Sequence, residues 1–194
     1  MDSSGAVVLY VSMSLDGFAT GPRGDLSILH SWAFGDTARV MSPIVSAEFF
    51  ASGAVIIGKR TFDAGEEPWG DDEVFPMPVI VLAHERRGIL VKGGTTFTFV
   101  DDGIESALRH ARAAAGGRDV TIMGSPAVAQ QFLNAGLVDE LELHVVSVLL
   151  GDGTPLFAPL TRGPIELERI RLIESAGITH LRYRVVREVH SSPR

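Results

Sequence analysis

The stretch that most constrains this chain is Asp119 to Phe132, D-V-T-I-M-G-S-P-A-V-A-Q-Q-F. Val120, Thr121, Ile122 and Met123 form a short, apolar, partly β-branched run, which suits a strand buried in a parallel sheet. Gly124-Ser125 closes the run. Ser125 is placed to act as an N-cap, and Pro126 fits the first helical position, where a missing N–H costs nothing. Val128, Phe132 and Leu133 then share one helical face, and Asn134-Ala135-Gly136 supplies a stop. A strand that feeds a helix through small residues leaves free backbone N–H groups, and the positive end of the helix dipole, at the carboxyl edge of a sheet. Phosphates dock at such edges. The same pattern also builds ordinary strand-to-helix turns, so the surrounding sequence must decide between the two.

A second copy of the pattern occurs earlier. Ala54 to Ile57 is a short buried strand, and Gly58-Lys59-Arg60-Thr61-Phe62-Asp63 again gives a glycine followed by a helix start, here with two cations. Cations at a helix N-terminus oppose the dipole, and a bound anion would relieve the conflict. Two of them suit a ribose 2′-phosphate or a pyrophosphate, with charge-assisted bonds to phosphate oxygens.

The rest of the chain supplies a framework for these turns. Ala6 to Met13 is nearly continuous and apolar, as expected of a central strand. Ser14 to Asp25, dense in Gly, Pro and Asp, reads as a long loop over the sheet edge, of the kind that serves as a lid or binding segment. A helix is expected over roughly Thr37 to Ala51, with Asp36-Thr37 as cap unless Pro43 marks its true start near Ser42. Pro78 to Ala83 and Thr95 to Val100 read as further strands, and Gly103 to Ala115 as an amphipathic helix closed by Gly116-Gly117. Val138 to Leu150 reads as one long strand. Ile165 to Glu174 and Thr179 to Val189 alternate cleanly around Ser175-Ala176-Gly177, as an antiparallel hairpin does. No repeat, low-complexity tract or linker interrupts the chain, so residues 1–194 are expected to form a single α/β domain.

Composition narrows the function. With 24 acidic and 17 basic residues the formal charge is -7, and the basic residues are scattered, which argues against nucleic acid or an anionic membrane as partner. Cysteine is absent, which excludes disulfides, a thiolate nucleophile and cysteine-ligated metal, and fits a cytoplasmic setting. The first residues, M-D-S-S-G, lack the basic start and apolar core expected of a signal peptide, and no apolar run approaches about 20 residues. With 45% hydrophobic residues, a large buried sheet and an apolar oligomer interface are both expected. The chain lacks G-x-G-x-x-G and the G-x-x-x-x-G-K-[ST] loop. It also lacks H-E-x-x-H or comparable metal-ligand spacing, and the G-x-S-x-G of hydrolases. His144 can be a strand histidine or a catalytic group. Asp16, in L-D-G, can stabilise its own loop or touch a ligand.

Taken in order, V-S-M-S-L-D-G-F-A (Val11 to Ala19), I-I-G-K-R-T-F (Ile56 to Phe62), P-V-I-V-L (Pro78 to Leu82), I-M-G-S-P-A-V-A-Q-Q-F-L (Ile122 to Leu133), L-V-D-E-L-E-L-H (Leu137 to His144) and G-D-G-T-P-L-F (Gly151 to Phe157) carry a resemblance. The chain resembles the dihydrofolate reductase-like superfamily, and more closely the reductase domain of the bifunctional riboflavin-biosynthesis deaminase/reductase and its stand-alone bacterial relatives. The resemblance covers nearly the whole chain. It implies a three-layer α/β/α fold with a mixed, mostly parallel sheet and a C-terminal antiparallel hairpin, binding NADPH along the strand ends. By that analogy Gly58, Lys59, Arg60 and Thr61 hold the adenosine phosphates, with Leu82, Ala83 and His84 beside the adenine. Met123, Gly124, Ser125 and Ala127 meet the pyrophosphate and nicotinamide side, and Ser12, Ala19 and Thr20 close over the nicotinamide.

The chain departs from the family in two places. The second turn reads Gly124-Ser125-Pro126 where the family often has successive glycines. The helix carboxylate that binds the pterin in dihydrofolate reductases is also missing: Ser42 stands near its position, and Glu48 lies a turn or more away. Folate reduction is therefore disfavoured. The expectation is an NADPH-dependent reductase, a homodimer, acting on a small substrate of pyrimidine, pterin or carbonyl type. Trp32 and Asp36 stand on the substrate side, and Asp16 or His144 is the proton donor or orienting group. The alternatives are a non-catalytic dinucleotide-binding or sensor module, a purely structural dimer, and a deazaflavin in the same phosphate cradle.

Overall fold

Continuous runs of Val, Ile and Leu must be covered on both faces, and nine strands obey this by forming one sheet between two layers of helices. The computed structural model describes residues 4–32, 43–66, 69, 75–85 and 87–187. In chain order the strands are β1 (Val7–Ser14), β2 (Phe18–Thr20), β3 (Ala54–Gly58), β4 (Val79–Leu82), β5 (Leu90–Lys92), β6 (Thr95–Val100), β7 (Val120–Met123), β8 (Glu140–Val146), β9 (Thr154–Pro155), β10 (Leu167–Ser175) and β11 (Ile178–Val185). The α-helices are α1 (Ser27–His30), α2 (Pro43–Phe50), α3 (Lys59–Glu66), α4 (Ile104–Ala115) and α5 (Pro126–Ala135).

The main sheet has the order β10-β11-β8-β1-β7-β3-β4-β6-β5. The six strands from β8 to β6 are mutually parallel. The C-terminal hairpin adds β11 and β10 antiparallel on one edge, and β5 joins the other edge antiparallel. This is the mixed α/β/α arrangement expected. Leu9, Ile56 and Ile122 are fully buried on one face, where α4 and α5 cover them through Ala107, Ala111 and Phe132. On the other face Val55, Ile57, Val81 and Phe97 pack against Phe62 of α3, and Leu29 and Trp32 cover Val146 and Ile178.

Three local readings are corrected. The loop from Ser14 to Asp25 contains β2, which pairs with β9, and a 3-10 turn at Pro22–Gly24. Two short partners distant in sequence leave no periodicity to read. The strand from Val138 is shorter than expected and ends at Val146. Val148 accepts a bond from Leu15 N, which takes the chain out of the sheet to clasp the β1–β2 loop. β5 and α1 were not anticipated: β5 folds back through Gly93-Gly94, both at positive φ, as a tight hairpin requires. Of the helix expected from Thr37, the part from Pro43 is observed, and Asp36 to Ser42 lie outside the described residues. Among the described residues no helix is long and apolar enough to cross a membrane.

Candidate functional site

Because β3 and β7 are adjacent and parallel, the two strand–glycine–helix turns end side by side at the carboxyl edge. Their approach is close. A Cβ on Gly58 would stand 3.0 Å from Ser125 Oγ and 3.2 Å from Val128 Cγ2, and one on Gly124 would stand 3.3 Å from Thr61 Oγ1. Gly124 has φ 68°, and Ser125, a non-glycine residue, has φ 39°. Such strained conformations cluster where backbone must be aimed at a ligand. The positive φ also corrects one expectation: Ser125 stands at the N-cap position but its hydroxyl makes no capping bond, because the strained backbone aims it at Gly58. The helix is started by Pro126 and by the Ser125 carbonyl, which accepts from the amides of Val128 and Ala129. It stops at Gly136, whose N–H bonds Leu133 O while Leu137 N–H bonds Phe132 O, a Schellman closure.

Gly58 pairs in register with Leu82, so Leu82, Ala83 and His84 border the same edge, with His84 exposed. Lys59 is not a free cation. Its ammonium is paired with Asp63 one turn on, which offsets its unfavourable place at the helix start. Arg60 is exposed at the same helix start.

The other predicted residues form a second group on β1 and its neighbours. Ser12, His144 and His180 stand side by side across β1, β8 and β11. Trp32 covers them, donating its indole N–H to Ser12 Oγ at 3.0 Å, with its ring 4.7 Å from His144 and 5.3 Å from His180. Both histidines are fully buried, and their Nδ1 atoms lie 2.8 Å apart, one donating and the other accepting. The Nε2 atom of each has no partner. Burial, reinforced by the neighbouring His180, Arg171 and His30, holds the His144 pKa well below the usual histidine value. Burial and Arg171 lower that of His180 as well. Neither ring reaches solvent, so His144 meets a substrate only where Trp32 gives way.

Asp16 is engaged elsewhere. Its carboxylate accepts bonds from Ser14 Oγ, Leu150 N and Gly151 N, and these donors, Ser14 first, hold its pKa below the usual carboxylate range. An acid kept ionised in this way is a poor proton donor. The geometry makes it a clasp between the β1–β2 loop and the loop before β9. Ala19 and Thr20, on β2, are buried beside that clasp, and Thr20 Oγ1 has no partner. His180 and Tyr10 were missed by sequence reasoning. The signal was present: E-L-E-L-H read against H-L-R-Y-R antiparallel pairs Glu142 with Arg182 and His144 with His180.

A mostly parallel sheet with paired glycine turns at its carboxyl edge and a C-terminal hairpin defines the dihydrofolate reductase-like class of α/β proteins. Within it, the chain belongs to the RibD C-terminal domain family, whose model matches residues 6–176. The chain is 30% identical over 167 residues to the riboflavin biosynthesis protein RibD of Corynebacterium ammoniagenes, covering 80% of this chain and 47% of that one. It is 24% identical over 160 residues to the uncharacterized protein YyaP of Bacillus subtilis, covering 78% and 79%. Among solved structures, a candidate riboflavin biosynthesis protein from Shewanella sp. PV-4 superposes with TM-score 0.74 at 23% identity over 94% of this chain and 99% of that one. The diaminohydroxyphosphoribosylaminopyrimidine deaminase/5-amino-6-(5-phosphoribosylamino)uracil reductase of Thermotoga maritima gives 0.67 at 18% over 94% and 57%.

Proposed function

We propose that this protein is an NADPH-dependent reductase that transfers hydride to a small planar or carbonyl-bearing substrate of pyrimidine or pterin size. The observation that carries this reading is the cradle between Gly58 and Ser125. The Ser125 and Val128 side chains stand so close to residue 58 that even a methyl there would have to displace them, and the N-termini of α3 and α5 lie side by side at the carboxyl edge. The fit to a dinucleotide follows from chemistry. The first-turn amides of α3 and the Ala127 amide of α5 would give donors to a pyrophosphate, and exposed Arg60 would offer a planar guanidinium to a ribose 2′-phosphate. The bound nicotinamide would supply the hydride. The chain would position the ring and exclude water, with Ala19 and Thr20 on one side and Ser12 held by Trp32 on the other. Since Asp16 is clasped and burial keeps His144 neutral, a proton would come from water, with His144 as an orienting group only where Trp32 moves.

The same engaged acid and buried histidines favour a second reading, a dinucleotide-binding sensor without turnover. A fluorescence titration with NADPH and NADH, on wild type and Arg60→Ala, separates the possibilities. Saturable NADPH binding that weakens selectively by about ten-fold in Arg60→Ala, as loss of a charge-assisted phosphate bond implies, supports the cofactor. Oxidation of NADPH by a pyrimidine, pterin or carbonyl substrate then supports the reductase, and binding without consumption supports the sensor. Binding of neither dinucleotide overturns both and turns the search to deazaflavins. We propose further that the protein works as a cytoplasmic homodimer, to which the open edge of β10 with its exposed Ile170 and Leu172 is suited.

A further inference from the structure

Ser12, His144 and His180 form a buried polar row that a substrate meets only when it is uncovered. Register makes the row: β1 sets Ser12 beside His144, and β8 sets His144 opposite His180, on the face of the sheet where Trp32 packs. The two rings share a single proton between Nδ1 atoms 2.8 Å apart. Their Nε2 atoms are sealed and unpartnered, so a proton added there would bring a buried charge and an N–H with no acceptor. A second added proton would break the Nδ1 bond itself.

The ionisable groups around the pair are already paired or of the wrong sign to hold such a charge. Arg171 of β10 and, when protonated, His30 of α1 are like charges. Glu142, two residues before His144 on β8, and Glu48 of α2 are both engaged by Arg171, and Arg182 of β11 is paired with Glu48 and Glu140. Tyr10 of β1, whose ring lies 4.2 Å from His144, keeps its hydroxyl neutral because burial raises its pKa. A protonated pair is therefore better served by water than by these neighbours. Of the described walls, β1, β8 and β11 are fixed by the sheet ladder. Trp32 is not: it stands two residues beyond α1, a single four-residue turn without a side-chain cap, and one hydrogen bond, to Ser12, holds its indole.

We propose that Trp32 is a proton-operated cover: when the His144 and His180 pair takes up a proton, the indole leaves Ser12 and swings off the rings, opening the row to water and to the substrate side of the site. The open form binds more protons than the closed one, so its share rises as pH falls. The rise is up to about ten-fold per pH unit for each proton taken up, below the value of about 6.5 at which a solvated histidine titrates. The cover would act on the substrate side of the proposed reductase, but its opening needs no dinucleotide, so the two readings stand or fall separately.

Acrylamide quenching of Trp32 emission from pH 7.5 to 5 tests it, read in Trp69→Phe so that Trp32 is the remaining one of the chain's two tryptophans. Quenching is expected to rise several-fold and reversibly as pH falls, while far-UV circular dichroism stays native. Ser12→Ala, which removes the indole's hydrogen bond, should move the release to higher pH. His30→Asn should leave it in place, and His144→Asn/His180→Asn should hold the quenching flat. In the wild-type protein, without any substitution, the ring Cε1–H resonances of His144 and His180 should titrate with the same midpoint as the Trp32 indole N–H. Quenching that ignores pH in the natively folded protein, a change that persists in the folded double variant or vanishes in His30→Asn, histidine resonances that do not titrate with the indole, or an opening that coincides with loss of circular dichroism would each overturn the proposal.

Discussion

His144 and His180 show how a single buried pair couples the site to pH. In the unfolded chain each ring titrates near about 6.5, whereas in the folded protein burial lowers both values and the shared Nδ1–Nδ1 bond has room for one proton only. The unfolded state therefore binds more protons below that pH, and stability must fall as pH falls. The contribution is complete above the unfolded value and is lost progressively beneath it, at up to about 1.4 kcal/mol per pH unit for each proton. His30, whose pKa burial also lowers, adds to the same slope. Urea unfolding measured from pH 7.5 to 5 should show this decline, and in His180→Gln the slope should be shallower. An unchanged slope would mean that the pair does not titrate on unfolding. The importance of this pair was half legible in the sequence. His144 stands out on its strand, but His180 gains its meaning only from the antiparallel register that sets it opposite.

Two glycines separate a structural from a binding role at the level of strand and helix. Gly53 opens β3 against the end of α4, and a Cβ there would lie 2.5 Å from the Ala115 carbonyl oxygen. Gly58 closes the same strand against Ser125 and Val128 at 3.0–3.2 Å. Gly53→Ala should lower unfolding stability by about 1–3 kcal/mol or more, as overpacking against backbone does, with NADPH affinity preserved in the folded fraction. Gly58→Ala should cost less stability, since Ser125 and Val128 can shift by tenths of an ångström, but it should weaken NADPH binding about ten-fold by displacing the start of α5. Thermal denaturation and dinucleotide titration on both variants read the two effects. These strand–glycine–helix units were legible because buried parallel strands are continuous apolar runs and Gly and Pro punctuate them. β2, β5 and β9 were not legible, since strands of two or three residues are defined by their partners rather than by any period of their own. The strain at Ser125 was hidden too, because its residue type fits an ordinary N-cap and only the backbone shows otherwise.

For the molecule as a whole, the hairpin that extends the sheet also places β10 at its edge among the described residues. Among the described residues β10 is an edge strand of nine residues with exposed apolar side chains, Ile170 and Leu172 among them, and long edge strands can template pairing with a second chain. Sedimentation equilibrium should give twice the 20.8 kDa chain mass, and Leu172→Lys should shift it toward the monomer. A monomer for the wild type at micromolar concentration would remove the dimer from the account. The sheet order itself was recoverable only through the family resemblance, because apolar runs specify that strands are buried but not which neighbours they take. If a dinucleotide lies across the carboxyl edge between the two glycine turns, backbone amide chemical shifts followed during an NADPH titration locate it there. The largest shifts are expected on Gly58 to Thr61 and Gly124 to Ala127, with smaller ones at Ala83 and Thr20. Saturable binding that leaves those amides unmoved and shifts residues elsewhere in the fold would contradict it.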